Sequence, residues 1–201
     1  MRERSAIEPC AARGPVLQLG VARAEMNPPK FTLRDIRLRV PVRARPERVW
    51  RCLTSARELC AWWTERAETD ARNGGRLRLI WPATAREPVR EVRGFFVDLD
   101  PARKVAWVWS RGARGVPPLV SFFVEPRRGG STLTVHHGGF STAPSARKRY
   151  ADWERLWEDG VAKLVLYLDT GRAVKSEQVS LADLPRLKRA RAGRPGVLLS
   201  A

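Results

Sequence analysis

The chain has 201 residues, of which 43% are hydrophobic and 29% charged, the proportions of one ordinary globular domain with tails. No apolar run approaches the ~20 residues of a membrane-crossing helix. The formal net charge of +17 directs attention to acidic partners, anionic lipid or nucleic acid.

Much of that excess lies toward the two ends, in "FTLRDIRLRVPVRARPER" and "LPRLKRARAGRP". Arginine is used almost to the exclusion of lysine, which reads first as a base-composition habit and only second as a phosphate-binding signal. The cysteines, Cys10, Cys52 and Cys60, form no CxxC pair, and an odd count gives no disulfide framework. Reduced thiols in a cytoplasmic protein are the expectation. Cys52 and Cys60 stand among apolar neighbours, as buried spectators would.

The first segment, "PVLQLGVARAE", has the look of a short signal-peptide core, but Gln18 and Gly20 interrupt it. Met26 opens "MNPPKFTLRD" and is an alternative start. Residues 1–30 are therefore expected to be a disordered extension, 31–171 a single domain, and 172–201 a basic mobile tail. In "DIRLRVPV", Ile36, Leu38, Val40 and Val42 alternate as in a half-buried strand. Two short helices follow: Pro46 suits a first helical turn, and Ser55 is a candidate N-cap for the second. "RLRLIWP", "VREVRGFFVDLDP", "KVAWVWS" and "LVSFFVEPRRGGSTLTVHH" then read as consecutive strands. Gly94 suggests a bulge or bend, and Arg128-Gly129-Gly130 a hairpin turn. From about Ala146 to Thr170, apolar residues recur at helical spacing, and Gly171 is a fitting stop.

Strands joined by short turns make an antiparallel sheet, and a long amphipathic helix must bury its apolar face on it. The fold class is thus α+β: a curved antiparallel sheet of about six strands around a long C-terminal helix, with two short helices after the first strand.

"VPVRARPERVWRCLTSARELCAWW", "GFFVDLDPARKVAWVW", "VSFFVEPRRGGSTLTVHHGGF" and "WERLWEDGVAKLVLYLDTG" together resemble the START-like, helix-grip SRPBCC superfamily. Within it they resemble the branch of the Aha-type chaperone ATPase activators. The resemblance covers roughly residues 35–171 and rests on the order of the segments, not on any one motif. It implies a helix-grip fold around an apolar cavity. It also implies binding of hydrophobic molecules, with cyclases, dehydratases and hydrolases as a minority. "WPATAREPVREV" and both tails depart from the family pattern.

The only two histidines are adjacent, in "LTVHHGGF". On a strand they point to opposite faces, so they cannot readily chelate one metal. His137 shares its face with Leu133 and Val135 and should turn inward, satisfied by a backbone carbonyl or capping the sheet rim, with orienting a ligand as the sharper reading and a catalytic base or metal ligand as the remote one; His136 should face solvent. A metal site needs three or four converging ligands, and the chain offers no other histidine. No metal or cofactor is expected. No "GxSxG" elbow is present. Asp98, Asp100, Glu125, Asp152 and Glu154 are explained by a solvated surface.

The eight tryptophans could be stacking platforms for nucleic acid, but their placement on buried faces favours core or cavity. The leading expectation is non-catalytic binding of an apolar or amphipathic small molecule between sheet and helix. Its lining would be Trp63, Trp81, Phe96, Trp107, Trp109, Phe122, His137, Phe140, Trp153 and Trp157. The alternatives are a co-chaperone-like module meeting an acidic protein, a nucleic-acid-associated protein using its basic tails, and a cyclase- or dehydratase-type enzyme. Tryptophans that filled the cavity would count against the first.

Overall fold

The computed structural model describes residues 32–83, 89–110, 118–175 and 177–184. Cys10, the alternative start at Met26 and the end of the basic tail lie outside them. β1, Leu33–Val42, buries Ile36, Val40 and Val42 on one face and turns Arg37 and Arg39 outward, as the alternation requires. α1, Pro46–Thr54, opens with proline in its first turn, where a missing N–H costs nothing. It breaks at Ser55, whose backbone is extended, and α2, Ala56–Trp62, follows at once. Ser55 occupies the N-cap position as expected, but its hydroxyl makes no capping bond.

Six further strands follow: β2, Arg66–Thr69; β3, Arg76–Trp81; β4, Arg90–Asp100; β5, Lys104–Trp109; β6, Leu119–Arg127; and β7, Gly130–Ser141. With β1 they form one antiparallel sheet of seven strands in the order β1-β7-β6-β5-β4-β3-β2. One strand more is present than expected. β2 reads "RAET", a polar edge strand with no apolar alternation to signal it. Since β1 and β2 are the two edges, α1 and α2 carry the chain from one side of the sheet to the other. They pack against β5, β6 and β2 on the way.

Gly94 is regularly paired with Trp109, and the irregularity in β4 lies between Phe96 and Asp98. Glycine is required at 94 for another reason: an added Cβ would stand 2.4 Å from the Val108 carbonyl oxygen. The β6–β7 hairpin closes at Arg127 and Gly130, with Gly129 at φ 78° supplying the left-handed turn residue.

α3, Arg147–Thr170, lays Trp157, Val161, Leu164 and Val165 on the concave face of the sheet. It stops at Gly171, whose φ of 72° is the left-handed conformation of a helix C-terminus. The ordered packing runs on past the boundary expected there. Val174 and Leu184 are buried. The Val179 N–H donates to Asp159, and Lys163 reaches both Asp159 and the Lys175 carbonyl. Layer on layer, this is the helix-grip arrangement: a curved sheet holding one long helix, with the core between them.

Candidate functional site

The space between sheet and α3 is where the fold would hold a ligand. Inward residues of alternate strand positions converge on it: Trp107 from β5, Phe122 from β6, and Trp157 from α3. Trp62 and Trp63 enter from the end of α2, stacked on each other with ring centroids 5.2 Å apart. Trp63 goes deepest. Its indole lies near Trp81, Trp107 and Trp157, at 5.2, 6.0 and 6.1 Å between centroids. Gly160 of α3 lies against it: a Cβ added there would sit 3.6 Å from the Trp63 ring nitrogen, an ordinary van der Waals contact.

What remains between these rings is a cavity of about 10 Å³, room for roughly one water molecule. Leu53, Val161 and Leu164 complete its walls. Of the ten residues expected to line a cavity, Trp63, Trp107, Phe122 and Trp157 do so. The other six continue the same aromatic network outward. Phe96 and Trp109 meet Trp107 edge-on, and Trp81 meets Trp63. At the far end His137 meets Phe140, Trp153 and Trp157. Each ring contact adds ~0.5–1.5 kcal/mol to what burial already contributes.

His137 is fully buried, and its Nδ1 accepts a hydrogen bond from Trp157 Nε1–H at 2.9 Å. A ring nitrogen that accepts carries no proton, so this imidazole is neutral with its hydrogen on Nε2. The partner of this ring nitrogen is an indole. His136 points the other way, 2.8 Å from Asp35 on β1. The Gly139 N–H donates to the same carboxylate at 3.0 Å. The bond from His136 and then that from Gly139 hold the Asp35 carboxyl below its ordinary range. The "HHGG" stretch therefore does two jobs: it clamps β1 to β7 on the outside and anchors α3 on the inside.

Three buried polar atoms near the network lack a hydrogen-bond partner: the indole nitrogens of Trp107 and Trp109, and the Thr64 hydroxyl. Among the described residues no group of His, Cys, Asp or Glu could hold a metal ion. Asp98 pairs with Lys104, Glu125 with Arg39 and Asp152 with Lys148, while Glu154 accepts from Tyr150.

A polar cluster that sequence reasoning missed joins α1, α2 and α3. Glu58 accepts from Arg48 and from the Tyr167 hydroxyl, the latter at 3.0 Å, and Cys52 lies 3.6 Å from the same carboxylate. Burial alone would raise the Glu58 carboxyl, but the bonds from Arg48 and Tyr167 outweigh it, and the net direction is down. Burial pushes the Cys52 thiol up to about 12. Arg48 and Glu58 are ten positions apart on separate helices, so no single-helix spacing signals the pair.

The sequence profile of the activator of Hsp90 ATPase homolog 1-like proteins matches residues 43–167. The chain belongs to that family. Its fold is also that of solved relatives. The Aha1 dimer from Colwellia psychrerythraea is 18% identical, with a TM-score of 0.59, over 70% of this chain and 99% of that one. A Staphylococcus saprophyticus protein is 17% identical, with a TM-score of 0.59, over 71% and 96%. CalU16 from Micromonospora echinospora is 19% identical, with a TM-score of 0.53, over 69% and 78%. Comparison with curated protein sequences returns no match. Family and fold fit either a ligand-binding domain or a co-chaperone-like module, and among the described residues no helix is long and apolar enough to cross a membrane.

Proposed function

We propose that this chain is a non-catalytic interaction domain of the co-chaperone-like kind, recruited by an acidic protein partner. The observation that carries this reading is the filled interior: a cavity of about 10 Å³ holds no lipid, sterol or polyketide, whereas ligand pockets are typically ~300–1,000 Å³. The net charge of +17 supports an acidic partner. The family description, which names activators of a chaperone ATPase, supports a protein as that partner. Native mass spectrometry of protein purified from its own host tests this. The expected result is no stoichiometric small molecule, together with a protein complex that dissociates as salt is raised. A stoichiometric apolar adduct at every salt concentration would reject it.

One observation favours a second reading, the apolar-ligand carrier. Buried polar groups normally find partners, yet the indole nitrogens of Trp107 and Trp109 and the Thr64 hydroxyl have none. A ligand carrying an acceptor oxygen would satisfy them if Trp63 swung out of the interior. In that reading the ten expected aromatic and histidine residues become the lining of the opened space.

A further inference from the structure

Among the described residues, the outer face of the sheet carries large apolar side chains that stay exposed. Along β6, Val120, Phe122 and Val124 are buried toward α3, so Leu119, Ser121 and Phe123 face away from it. Cross-strand register sets Val108 and then Phe95 beside Leu119, and Ala106 beside Ser121. Leu119 is 46% exposed, Phe95 40% and Phe123 37%. Single exposed apolar residues are ordinary, but large ones gathered on adjacent strands of one face mark a contact site.

Beside Phe123 the face dips into a groove of about 650 Å³. Thr134 of β7 forms its floor, and Arg37 and Arg39 of β1 stand along one side. Arg103, in the β4–β5 turn, stands on the other. The register Phe123–Thr134–Arg39 places ring and guanidinium two strands apart, roughly 10 Å. Arg39 is paired with Glu125 at 3.1 Å, but both side chains are 60% exposed. Such a pair is worth at most ~1 kcal/mol and exchanges readily for another carboxylate. Arg103 makes no side-chain ion pair among the described residues. Three guanidiniums face one glutamate across the groove, with an exposed ring in its wall.

We propose that this groove docks an acidic segment of a partner protein, which lays one apolar side chain against Phe123 and sets carboxylates against Arg37, Arg39 and Arg103. The proposal rests on the interaction-domain reading and adds to it the surface and the chemistry of the partner. Single-stranded nucleic acid is the competing polyanion, and two features favour carboxylates over phosphates. Glu125 in the groove and Asp35 close by would repel a continuous phosphate backbone. Of the two rings in the groove, His136 is already held by Asp35 at 2.8 Å, which leaves Phe123 where a stacking platform uses successive free rings.

The test uses the full chain and short fluorescein-labelled probes, read by anisotropy: an acidic peptide with one central leucine, the same peptide with serine in its place, a lysine-for-glutamate counterpart, and an oligothymidylate. The leucine-bearing acidic peptide should bind best. Phe123→Ser and Arg37→Glu should each weaken it about tenfold, as loss of an anchor or of a close charge pair does. Both sites are outward-facing, and unchanged melting temperatures would show that the fold is intact. Arg155→Glu, on the exposed side of α3, changes net charge equally and should leave affinity nearly unchanged. If the α3 variant weakens binding as much as the groove variants, this surface is wrong while an acidic partner still stands. If no acidic peptide binds, both proposals fall. Tighter binding of oligothymidylate, lost with Arg37→Glu, would replace the peptide by nucleic acid as the occupant.

Discussion

Trp157 and His137 join α3 to β7 through one buried hydrogen bond, 2.9 Å from indole Nε1 to imidazole Nδ1. The bond lies within the aromatic core, with Trp153 and Phe140 against the imidazole. Trp157→Phe keeps an aromatic ring in the gap but removes the donor, leaving a buried acceptor without that partner. The expected cost is ~1–3 kcal/mol, the penalty of an unsatisfied buried polar group. Urea unfolding of the two proteins checks it. A change below about half a kcal/mol would mean that ring packing, not the hydrogen bond, holds the helix at this point.

Trp63 occupies the space that the fold would otherwise leave open. Trp63→Ala should cost ~3–5 kcal/mol, as removal of large buried aromatics does. It should also create an apolar hole walled by Trp107, Trp157 and Gly160. Added indole should then raise the melting temperature of the variant and leave the parent protein unmoved. If indole stabilises neither, the surrounding helices have closed over the gap. If it stabilises both, Trp63 already moves aside in the parent, and the carrier reading gains.

How far this interior could be read in the sequence depends on the kind of signal. Alternation in "RVPV" and "KVAWVW" placed Val40, Val105 and Trp107 inward, because a pleated strand offers only two faces. The helical period placed Trp157 and Val161 on the sheet for the same kind of reason. All ten expected lining residues fall in one linked aromatic network. Their joint consequence was not legible, since whether rings line a space or fill it depends on distances between residues far apart in the chain. Trp63 shows this best: nothing in "ELCAWW" says that its indole will meet Trp81, Trp107 and Trp157. β2 was invisible because "RAET" carries no apolar pattern, and Gly94, which suggests a bulge or sharp bend, stands at a close backbone approach two residues before the irregularity at Phe96. The outer groove was missed because Phe123 has no meaning until register sets it opposite Thr134 and Arg39.

Glu58 should make stability depend on acid. Its folded carboxyl lies below the ordinary value of 4.5, after burial is outweighed by the bonds from Arg48 and Tyr167. Above 4.5 the group is ionised in both folded and unfolded chains, and its contribution is fully present. As pH falls through the folded value, the unfolded chain has already taken up its proton and the stabilisation is lost. Glu58→Gln should therefore lower stability by ~1–3 kcal/mol near neutral pH, the worth of charge-assisted bonds. The gap from the parent protein should close in acid. Melting temperatures of both proteins across that range check the sign; a gap constant with pH would remove the ionised carboxylate from the account.

Cys52 sits against the same carboxylate, and its chemistry follows from burial. With the thiol pushed up to about 12, desolvation first among the causes, almost none of it is thiolate at neutral pH. Since the thiolate is the nucleophile, Cys52 should resist alkylation in the folded protein and react only as the chain unfolds. Cys60, half-buried on α2, has better access. Iodoacetamide followed by peptide mapping should label Cys60 before Cys52, with Cys52 labelling appearing in step with the unfolding transition. Glu58→Gln removes a neighbouring negative charge that itself favours the protonated thiol. Faster labelling of Cys52 in that variant under conditions where it stays folded would show the carboxylate acting on the sulfur. Equal rates would leave burial as the sole cause of its inertness.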